Sequence, residues 1–407
     1  MNQKEPTGVK VLRRMPALLA NPGQAILYIT LILWAIGTVN IFSASFVMAG
    51  RETGGDSYFY LKRHLLAFAI GMGLLWMACR FDYRRYRWLT AALLLLTFAG
   101  LILVPIIGIE VNGARRWLKL GTTFQPSELA KLTSVVISAA YLGWRVDKGR
   151  KVTLFSWPFG LTLVMGGLVL LQPDMGTAVV ICTLCVLVYV LAGIPFRQWA
   201  GLLVLGGGAV FMAVAMAPYR KDRIAAWLDP WSYQQDLGYQ AVQSLLAIGS
   251  GGLGGTGLGM GASKFFYLPE AHTDFAFAVL SQEMGFAGVV AVLILFLLIG
   301  LYGAFVAIRA ADGYGMLLAA GATALIVCQA IGNMAMVCGI LPVTGVPLPY
   351  ISYGGTALIV NLAATGLLIS VARAGSEAVP SSGGSAPVPE RSQRERRRLR
   401  LADRPSS

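Results

Sequence analysis

Long apolar stretches, separated by short clusters of charge, dominate this sequence. About ten such stretches are present, near residues 25–47, 62–79, 88–108, 127–144, 154–171, 177–194, 199–217, 275–307, 314–338 and 352–372. A helix needs roughly 20 apolar residues to cross the hydrocarbon core of a bilayer. With 56% apolar and 13% charged residues, the chain is also more apolar than soluble domains, which contain roughly 45–50%. We therefore predict an all-α integral membrane protein, a bundle of about ten transmembrane helices.

The distribution of Lys and Arg predicts the orientation of the bundle. Basic residues recur in the N-terminus, in 80–87, in 145–151, at Arg197, at Arg309 and in the C-terminal tail. Because short cytoplasmic loops are enriched in Lys and Arg, both termini are predicted to be cytoplasmic. The membrane domain then covers residues 23–373, after a cytoplasmic segment of residues 1–22. Residues 218–274 become a large extracellular loop between helices 7 and 8, and loops of this length are usually functional.

Residues 374–407 form a Ser/Gly/Pro-rich segment that ends in a run of arginines. This composition predicts a disordered cytoplasmic tail, which is either held at the anionic inner leaflet or simply solvated. The formal net charge of +14 does not indicate nucleic-acid binding, because most of the cations lie beside predicted helix ends. Membrane lipids are the partners that such a charge distribution favours.

Cysteine and histidine usage argues against a dedicated metal or redox site. Cys182 and Cys185 form a CxxC, but it lies inside an apolar run and has no further ligands nearby. The two histidines, His64 and His272, exclude a His-rich site. No cofactor is expected with certainty, although a divalent cation, Mg²⁺ or Mn²⁺, remains possible.

Three cations in the predicted external loop 109–126 break the orientation rule. They are Arg115, Arg116 and Lys119, and the long loop carries others. One explanation is an anionic substrate that approaches from outside. The other is contact with lipid headgroups and snorkelling of helix ends. The residues alone leave both open.

The stretch YLPEAHTDFAFAVL, residues 267–280, places two carboxylates and a histidine just before an apolar helix. Asp274 could cap the helix, as Asp often does. Alternatively, partial desolvation at the mouth of a cavity would raise its pKa towards that of a general base. Glu270 is a second acid or a loop residue, and His272 lies between the two.

Other candidates also lie at predicted external helix ends. Asp174, in a Pro-Asp-x-Gly sequence, suits a turn or cap. Ser127 can cap the fourth helix, and Glu128 can pair with Lys131 at i, i+3. The half-glycine segment 249–261 predicts tight turns or close backbone approach. The break at 347–355, which contains Ser352, suits irregular backbone that lines a cavity. A shared external cavity accounts for all of these features.

Seven strings in this order resemble the SEDS family (shape, elongation, division and sporulation), in its FtsW/SpoVE branch. They are FYLKR (59–63), NGARRWL (112–118), FQPSELAKL (124–132), QPDMGTA (172–178), GYQAVQSLLAIGSGGL (238–253), YLPEAHTDFAFA (267–278) and LPVTGVPLPYISYGG (341–355). The resemblance covers about residues 22–375 and implies ten transmembrane helices with both ends cytoplasmic. The family's essential aspartate maps onto Asp274. Some division-type members carry a Glu eight residues earlier, where this chain has Phe266.

The resemblance also implies an activity and partners. The expected enzyme is a peptidoglycan glycosyltransferase of the bacterial cytoplasmic membrane, at the division septum. It would polymerise lipid II into β-1,4 glycan strands by inverting displacement of undecaprenyl pyrophosphate, together with a class B penicillin-binding transpeptidase and other division proteins. Asp274 would be the general base. Candidate substrate contacts are the cations Arg115, Arg116, Lys119 and Lys131, together with Trp117, Glu128, Asp174, Glu270, His272 and Ser352.

Three alternatives remain. A lipid II transporter would suit the intramembrane Lys131 and the broken helices. A RodA-type polymerase for cell elongation would carry out the same chemistry in another process. A non-catalytic division scaffold would leave the carboxylates and cations without a purpose.

Overall fold

The computed structural model describes residues 21–111, 114–120, 122–215, 218–264 and 268–377. Phe266, nearly all of the predicted N-terminal segment and most of the predicted tail lie outside these ranges. The helices are α1 (Pro22–Glu52), α2 (Phe59–Arg80), α3 (Tyr86–Ile107), α4 (Pro126–Asp147), α5 (Trp157–Leu171), α6 (Met175–Leu191), α7 (Phe196–Ala215), α8 (Pro218–Leu228), α9 (Tyr239–Gly251), α10 (Ala276–Ile308), α11 (Gly313–Val337) and α12 (Gly355–Glu377). Short 3₁₀ turns lie at Tyr83–Arg85, Pro230–Tyr233 and Ala262–Lys264.

Each predicted apolar segment overlaps one of these helices. Within the described residues, 6 helices are long and apolar enough to cross a membrane: α1, α2, α3 with its preceding turn, α10, α11 and α12. The apolar helices α5 and α6 are shorter. The prediction of an all-α, multi-pass membrane protein is confirmed. That all ten segments cross the bilayer stays a prediction.

Helix α4 lies at the centre of the bundle. Almost every residue from Pro126 to Ala139 is buried, and the helix packs against α3, α6 and α11. Hydroxyl groups also join the helices. Thr97 on α3 lies 2.7 Å from Thr133 on α4, between their side-chain oxygens. A central helix of this kind carries its N-terminal residues into the interior of the protein.

Helix α10 is broken at Gly285, whose backbone is not helical (φ 64°, ψ −166°). The break frees the carbonyls of Gln282 and Glu283, which accept hydrogen bonds from the amides of Thr256 and Gly257 at 2.9 and 3.1 Å. Beyond the break, the amides of Phe286 and Ala287 donate to the carbonyls of residues 252 and 253. The glycine-rich segment therefore completes the broken helix by pairing with the backbone groups that the break leaves without helical partners.

Close approach explains why glycine is needed on both sides of this contact. A Cβ on Gly255 would lie 2.1 Å from the Glu283 carbonyl oxygen, and a Cβ on Gly285 would lie 2.2 Å from the Gly255 nitrogen. Both distances are shorter than any side chain tolerates. The close backbone approach predicted for residues 249–261 is confirmed.

The predicted loop 109–126 contains a small antiparallel sheet. Its strands are β1 (Ile109–Val111), β2 (Ala114–Leu120) and β3 (Thr122–Phe124), in the order β1-β2-β3. Successive side chains of a strand point to opposite faces. Leu118 is accordingly buried, while Arg115 and Lys119 are exposed. The sheet is a local addition to the helical fold.

Candidate active site

The backbone around Asp274 is held by three distant elements. Asn333 on α11 donates its side-chain amide to the carbonyl oxygens of Asp274 and Val346, each at 2.8 Å. Asn40 on α1 donates to the Ala276 carbonyl at 2.9 Å. The amide of Tyr353 donates to the His272 carbonyl at 2.9 Å. The start of α10 is therefore fastened to α1, α11 and the loop before α12.

A strained turn precedes Asp274. Glu270 adopts the left-handed conformation, with φ of 55°, which non-glycine residues rarely adopt and which costs about 1–3 kcal/mol. Its carbonyl accepts hydrogen bonds from the amides of Thr273 and Phe275 at 3.1 and 3.2 Å. Its carboxylate accepts from the Thr273 hydroxyl at 2.7 Å. This turn fixes the direction in which the chain enters α10.

The Asp274 side chain does not cap α10. The N-cap residue is Phe275, and no side chain caps the helix end, so the capping alternative is wrong. Within the described residues, the Asp274 carboxylate accepts no hydrogen bond. Instead it lies against the backbone of Gly345, where an added Cβ would be 3.4 Å from Oδ2. The carboxylate is therefore left available for chemistry.

Burial raises the pKa of Asp274 from 3.8 to about 7. The negative charges of Glu270, Asp174 and Glu128 raise the pKa further, and the Arg116 guanidinium opposes them. Desolvation disfavours the ionised carboxylate, and nearby like charges add to that effect. Four predicted site residues therefore influence the pKa of Asp274: Glu270, Asp174, Glu128 and Arg116.

Arg116 is oriented by the backbone just before α6. Its Nε donates to the Gln172 carbonyl at 3.2 Å, and a terminal nitrogen donates to the Pro173 carbonyl. On the opposite face of β2, Arg115 is exposed and lies 3.4 Å from Glu110. Lys119 is also exposed, and Trp117 is half-buried. The predicted cations of β2 therefore lie on its two opposite faces, and among them Arg116 is the one that acts on the pKa of Asp274.

Asp174 caps α6 by accepting a hydrogen bond from the Thr177 amide at 3.1 Å. Its other oxygen lies 3.4 Å from the side-chain nitrogen of Gln125. The predicted cap is confirmed. Because Asp174 also raises the pKa of Asp274, this cap contributes to the electrostatics of the site.

Glu128 and Lys131 form a buried ion pair near the start of α4. The Lys131 Nζ lies 2.7 Å from the Glu128 carboxylate and donates to Gln329 on α11 at 3.1 Å. Both residues are buried, and the predicted i, i+3 pairing is confirmed. The predicted Ser127 cap is wrong, since Gln125 is the N-cap residue and Pro126 begins the helix.

His272 lies in an aromatic pocket beside the site. Its ring centroid is 4.4 Å from that of Tyr60 and 5.6 Å from that of Tyr353. Burial lowers the pKa of His272, which the nearby carboxylates of Glu270 and Glu52 partly offset. The imidazole is therefore neutral at pH 7 and packs against α2.

Ser352 closes a turn. Its hydroxyl accepts from the Leu348 amide at 3.0 Å, and its own amide donates to the Leu348 carbonyl at 3.0 Å. These bonds indicate that Ser352 shapes the loop before α12. A direct contact with substrate stays a prediction.

The sequence analysis did not single out Asn333, Asn40 or Gln125. Asn333 and Asn40 are buried polar residues inside apolar helices, and polar groups at such positions need a partner. The cost of burying an unpaired side-chain amide was therefore the signal that the sequence offered. The partner that each amide finds, here the backbone around Asp274, depends on how the helices pack.

The described residues contain no group of three or more His, Cys, Asp or Glu side chains arranged to hold a metal ion. Their donor set therefore does not fit a dedicated metal site. Among the described residues, Arg116 is the cation that acts on the pKa of Asp274, and assistance by a divalent cation stays a prediction.

Comparisons with known proteins agree with this arrangement. The family model described as "Cell cycle protein" (FtsW/RodA/SpoVE) matches residues 24–377. The probable peptidoglycan glycosyltransferase FtsW of Geobacter sp. (strain M18) is 41% identical over 85% of this chain and 95% of the relative. Its counterpart in Coxiella burnetii is 39% identical over 84% and 94%. Stage V sporulation protein E of Bacillus subtilis is 37% identical over 87% and 97%.

Two solved structures share the fold. One chain, from a peptidoglycan synthase complex described as coordinating polymerization and crosslinking, is 30% identical with a TM-score of 0.70. It covers 86% of this chain and 96% of its own length. The rod shape determining protein RodA of Thermus thermophilus is 30% identical with a TM-score of 0.61, over 86% and 95%.

Proposed function

Because this chain belongs to the FtsW/RodA/SpoVE family of cell cycle proteins, we propose that it is a peptidoglycan glycosyltransferase that polymerises lipid II. The observation that carries this proposal is the Asp274 carboxylate, whose pKa of about 7 suits a general base. Efficient proton transfer requires a pKa near the working pH. We infer that Asp274 performs this role.

The reaction is a single displacement at the anomeric carbon. The C4 hydroxyl of an N-acetylglucosamine attacks C1 of an N-acetylmuramic acid that carries an α-linked undecaprenyl pyrophosphate. The new C1–O bond is β, so the configuration inverts, and the bond to the pyrophosphate breaks. The hydroxyl proton passes to Asp274, and the electron pair of the broken bond leaves with the pyrophosphate.

Arg116 is the cation best placed to stabilise the departing pyrophosphate. Its planar guanidinium has five N–H donors and suits phosphate oxygens. Two of those donors bond to the carbonyls of Gln172 and Pro173, and within the described part of the chain the others are not committed. Preorganised donors aimed at developing charge are a large source of catalysis.

The proposed setting is the septum of a dividing bacterium, with Asp274 on the external face of the cytoplasmic membrane. Because the related synthase complex couples polymerization to crosslinking, we propose a class B penicillin-binding transpeptidase as the partner. The division role is favoured over elongation by relatives named FtsW at 39 to 41% identity.

The test is glycan polymerisation from lipid II by the purified full-length chain with its transpeptidase. Asp274→Asn keeps the size of the side chain and removes the base. We expect a loss of about 10²–10⁴-fold, the usual cost of removing a general base. Asp236→Asn, the same change at an exposed position in the same long loop, is the matched control and should leave the rate within about twofold.

Thermal denaturation and lipid II binding of both variants separate chemistry from folding. Near-normal polymerisation by Asp274→Asn would contradict the catalytic role. If the wild-type chain moves lipid II across vesicle membranes and forms no polymer, the transporter alternative is correct. If it does neither while still recruiting division proteins, it is a scaffold.

A further inference from the structure

A cavity of about 250 Å³ lies at the end of the bundle opposite to Asp274. Helix α2 begins beside the site, where Tyr60 contacts His272, and ends at Arg80, which lines the cavity. At 1.5 Å per residue, these ends are about 30 Å apart. That distance equals the thickness of the hydrocarbon core, so the cavity lies at the opposite membrane surface.

The cavity is lined by positive charge. Arg80, Arg85 and Arg373 contribute three guanidinium groups, and Asp82 contributes one carboxylate. The Asp82 carboxylate already accepts a hydrogen bond from the Arg84 amide at 3.0 Å. The lining therefore carries a net positive charge, and its carboxylate is engaged with the turn.

Neighbouring arginines that do not line the cavity are neutralised by ion pairs. Arg84 lies 3.0 Å from Asp312, and Arg87 lies 3.8 Å from Asp147. Arg80 and Arg85 form no ion pair within the described residues. Arg80 and Arg85, which both line the cavity, thus differ from Arg84 and Arg87 in having no carboxylate partner among the described residues.

Exposed aromatic side chains lie on the helix ends that flank the Arg80–Arg85 segment, and one of them lines the cavity itself. Trp76 is 60% exposed and Trp88 is 88% exposed. The Arg80 guanidinium lies 4.8 Å from the centre of the Trp76 ring. Phe81, which also lines the cavity, is exposed. Tryptophans at a helix end are typical of the headgroup region of a membrane.

We propose that this cavity binds the phosphate headgroup of an anionic membrane lipid. The arginines supply donors for phosphate oxygens, and the exposed aromatic residues give the lipid's glycerol and acyl chains a surface to cover. A free phosphate ion would satisfy the arginines and leave that apolar surface uncovered. The site is separate from the proposed glycosyl transfer and does not depend on it.

The experiment measures lipid retention by the purified full-length chain. Native mass spectrometry counts the phosphatidylglycerol molecules that remain bound after exchange into a phosphatidylcholine-containing detergent. The test variant is Arg80→Gln with Arg85→Gln. Each arginine of the lining that donates a hydrogen bond to the phosphate strengthens binding by about fivefold, so we expect about 25-fold weaker retention.

The matched control is Arg150→Gln with Arg309→Gln. These arginines lie at the same end of the bundle but do not line the cavity. The Arg150 guanidinium lies 4.5 Å from the centre of the Trp144 ring, and the Arg309 guanidinium lies 4.0 Å from the centre of the Phe305 ring. The control removes the same charge from the same surface. Equal loss of phosphatidylglycerol in both variants would overturn the proposal.

A second arm distinguishes lipid from free phosphate. Phosphatidylglycerol is expected to raise the melting temperature of the wild type, while millimolar inorganic phosphate is not. Stabilisation by inorganic phosphate to the same extent would overturn the lipid assignment. If the double variant does not fold, Arg85→Gln alone, on an exposed turn, should weaken retention about fivefold, and unchanged retention would refute the site.

Discussion

The basicity of Asp274 comes from its surroundings. An ordinary aspartate is fully ionised at pH 7 and is a weak base, whereas the pKa of Asp274 is about 7. The same surroundings affect stability. Well below pH 3.8, the ordinary pKa of an aspartate, the carboxyl is protonated in both folded and unfolded chains. As the pH rises from about 4 to about 7, the unfolded chain ionises first, so stability falls over that range. An ionised Asp274 therefore destabilises the folded chain, and the other contacts of the fold must offset that cost.

This surrounding charge makes the pH dependence testable. The proposed base, Asp274, must be ionised to accept a proton, so kcat/KM for polymerisation should rise with pH with a midpoint near 7. Glu270 raises the pKa of Asp274, and Glu270→Gln should therefore move the midpoint to lower pH. Glu110→Gln is the control, because Glu110 is exposed and pairs with Arg115. An unchanged midpoint in Glu270→Gln would show that Glu270 does not act on the base.

Replacing Arg115 and replacing Arg116 should have very different effects on kcat, although the two residues are adjacent in the chain. Arg116 acts on Asp274 and is oriented by two carbonyls, so Arg116→Gln should lower kcat by about 10²-fold, the usual effect of losing one donor to developing charge. Arg115 forms an exposed ion pair, and Arg115→Gln should change kcat by less than about twofold. Similar losses in both variants, measured as glycan formation, would contradict the separation of the two side chains.

At the scale of elements, the positions of the helices could be predicted from the sequence, whereas the loops and the contacts between distant segments could not. Apolar runs specify transmembrane helices because the bilayer sets their length. Position next to such a run made Asp274 a candidate, and the resemblance to the SEDS family gave it the role of the base. The separation of Arg115 from Arg116 required a strand, however, which the sequence analysis did not predict. The available signal was Asn112-Gly113, a typical hairpin turn sequence, between the alternating stretches 109–111 and 118–120. The role of Asn333 depended on where residues 274 and 346 meet in space, which a single sequence does not show.

The broken helix gives a prediction at this scale. Gly285 has a backbone conformation that is essentially restricted to glycine, and its Cβ position is occupied by the Gly255 backbone. Gly285→Ala should therefore destabilise the protein by about 3 kcal/mol or more. Gly300 on the same helix has only an ordinary contact with Val327, so Gly300→Ala should be neutral or stabilising by up to about 1 kcal/mol.

Thermal denaturation of both variants in the same detergent is the measurement. A melting temperature for Gly285→Ala that equals that of Gly300→Ala would mean that the glycine-rich segment does not complete the helix. Polymerisation should fall with stability in Gly285→Ala, because residues 276–284 connect the break to Asp274.

At the scale of the whole molecule, the break in α10 divides the helix into a part long enough to cross a bilayer and a shorter part beside Asp274. The complete helix of 33 residues would be about 50 Å long, well beyond the hydrocarbon core. The part after Gly285 is about 35 Å long and suffices to cross the bilayer. The part before it, which begins next to Asp274, is then free to project beyond the core. Lipid-linked substrate could reach Asp274 there without leaving its leaflet.

The final prediction concerns orientation, on which this arrangement depends. Glu110 lies on β1 at the same end of the bundle as Asp274, and Lys148 follows α4 at the opposite end. Both are exposed. In intact cells, Glu110→Cys should react with a membrane-impermeant maleimide, and Lys148→Cys should react only after permeabilisation, because the loop at residues 145–151 is basic and basic loops remain inside.

The native cysteines, of which Cys338 is exposed and Cys79, Cys182 and Cys328 are half-buried, are first changed to Ser, so that the introduced thiol is the one that reacts. Labelling of both thiols after permeabilisation confirms that each is reactive, which makes protection of Lys148→Cys in intact cells a statement about topology. The reverse pattern would place Asp274 in the cytoplasm. An external polymer cannot be built from there, so that result would exclude the glycosyltransferase mechanism regardless of the behaviour of Asp274→Asn.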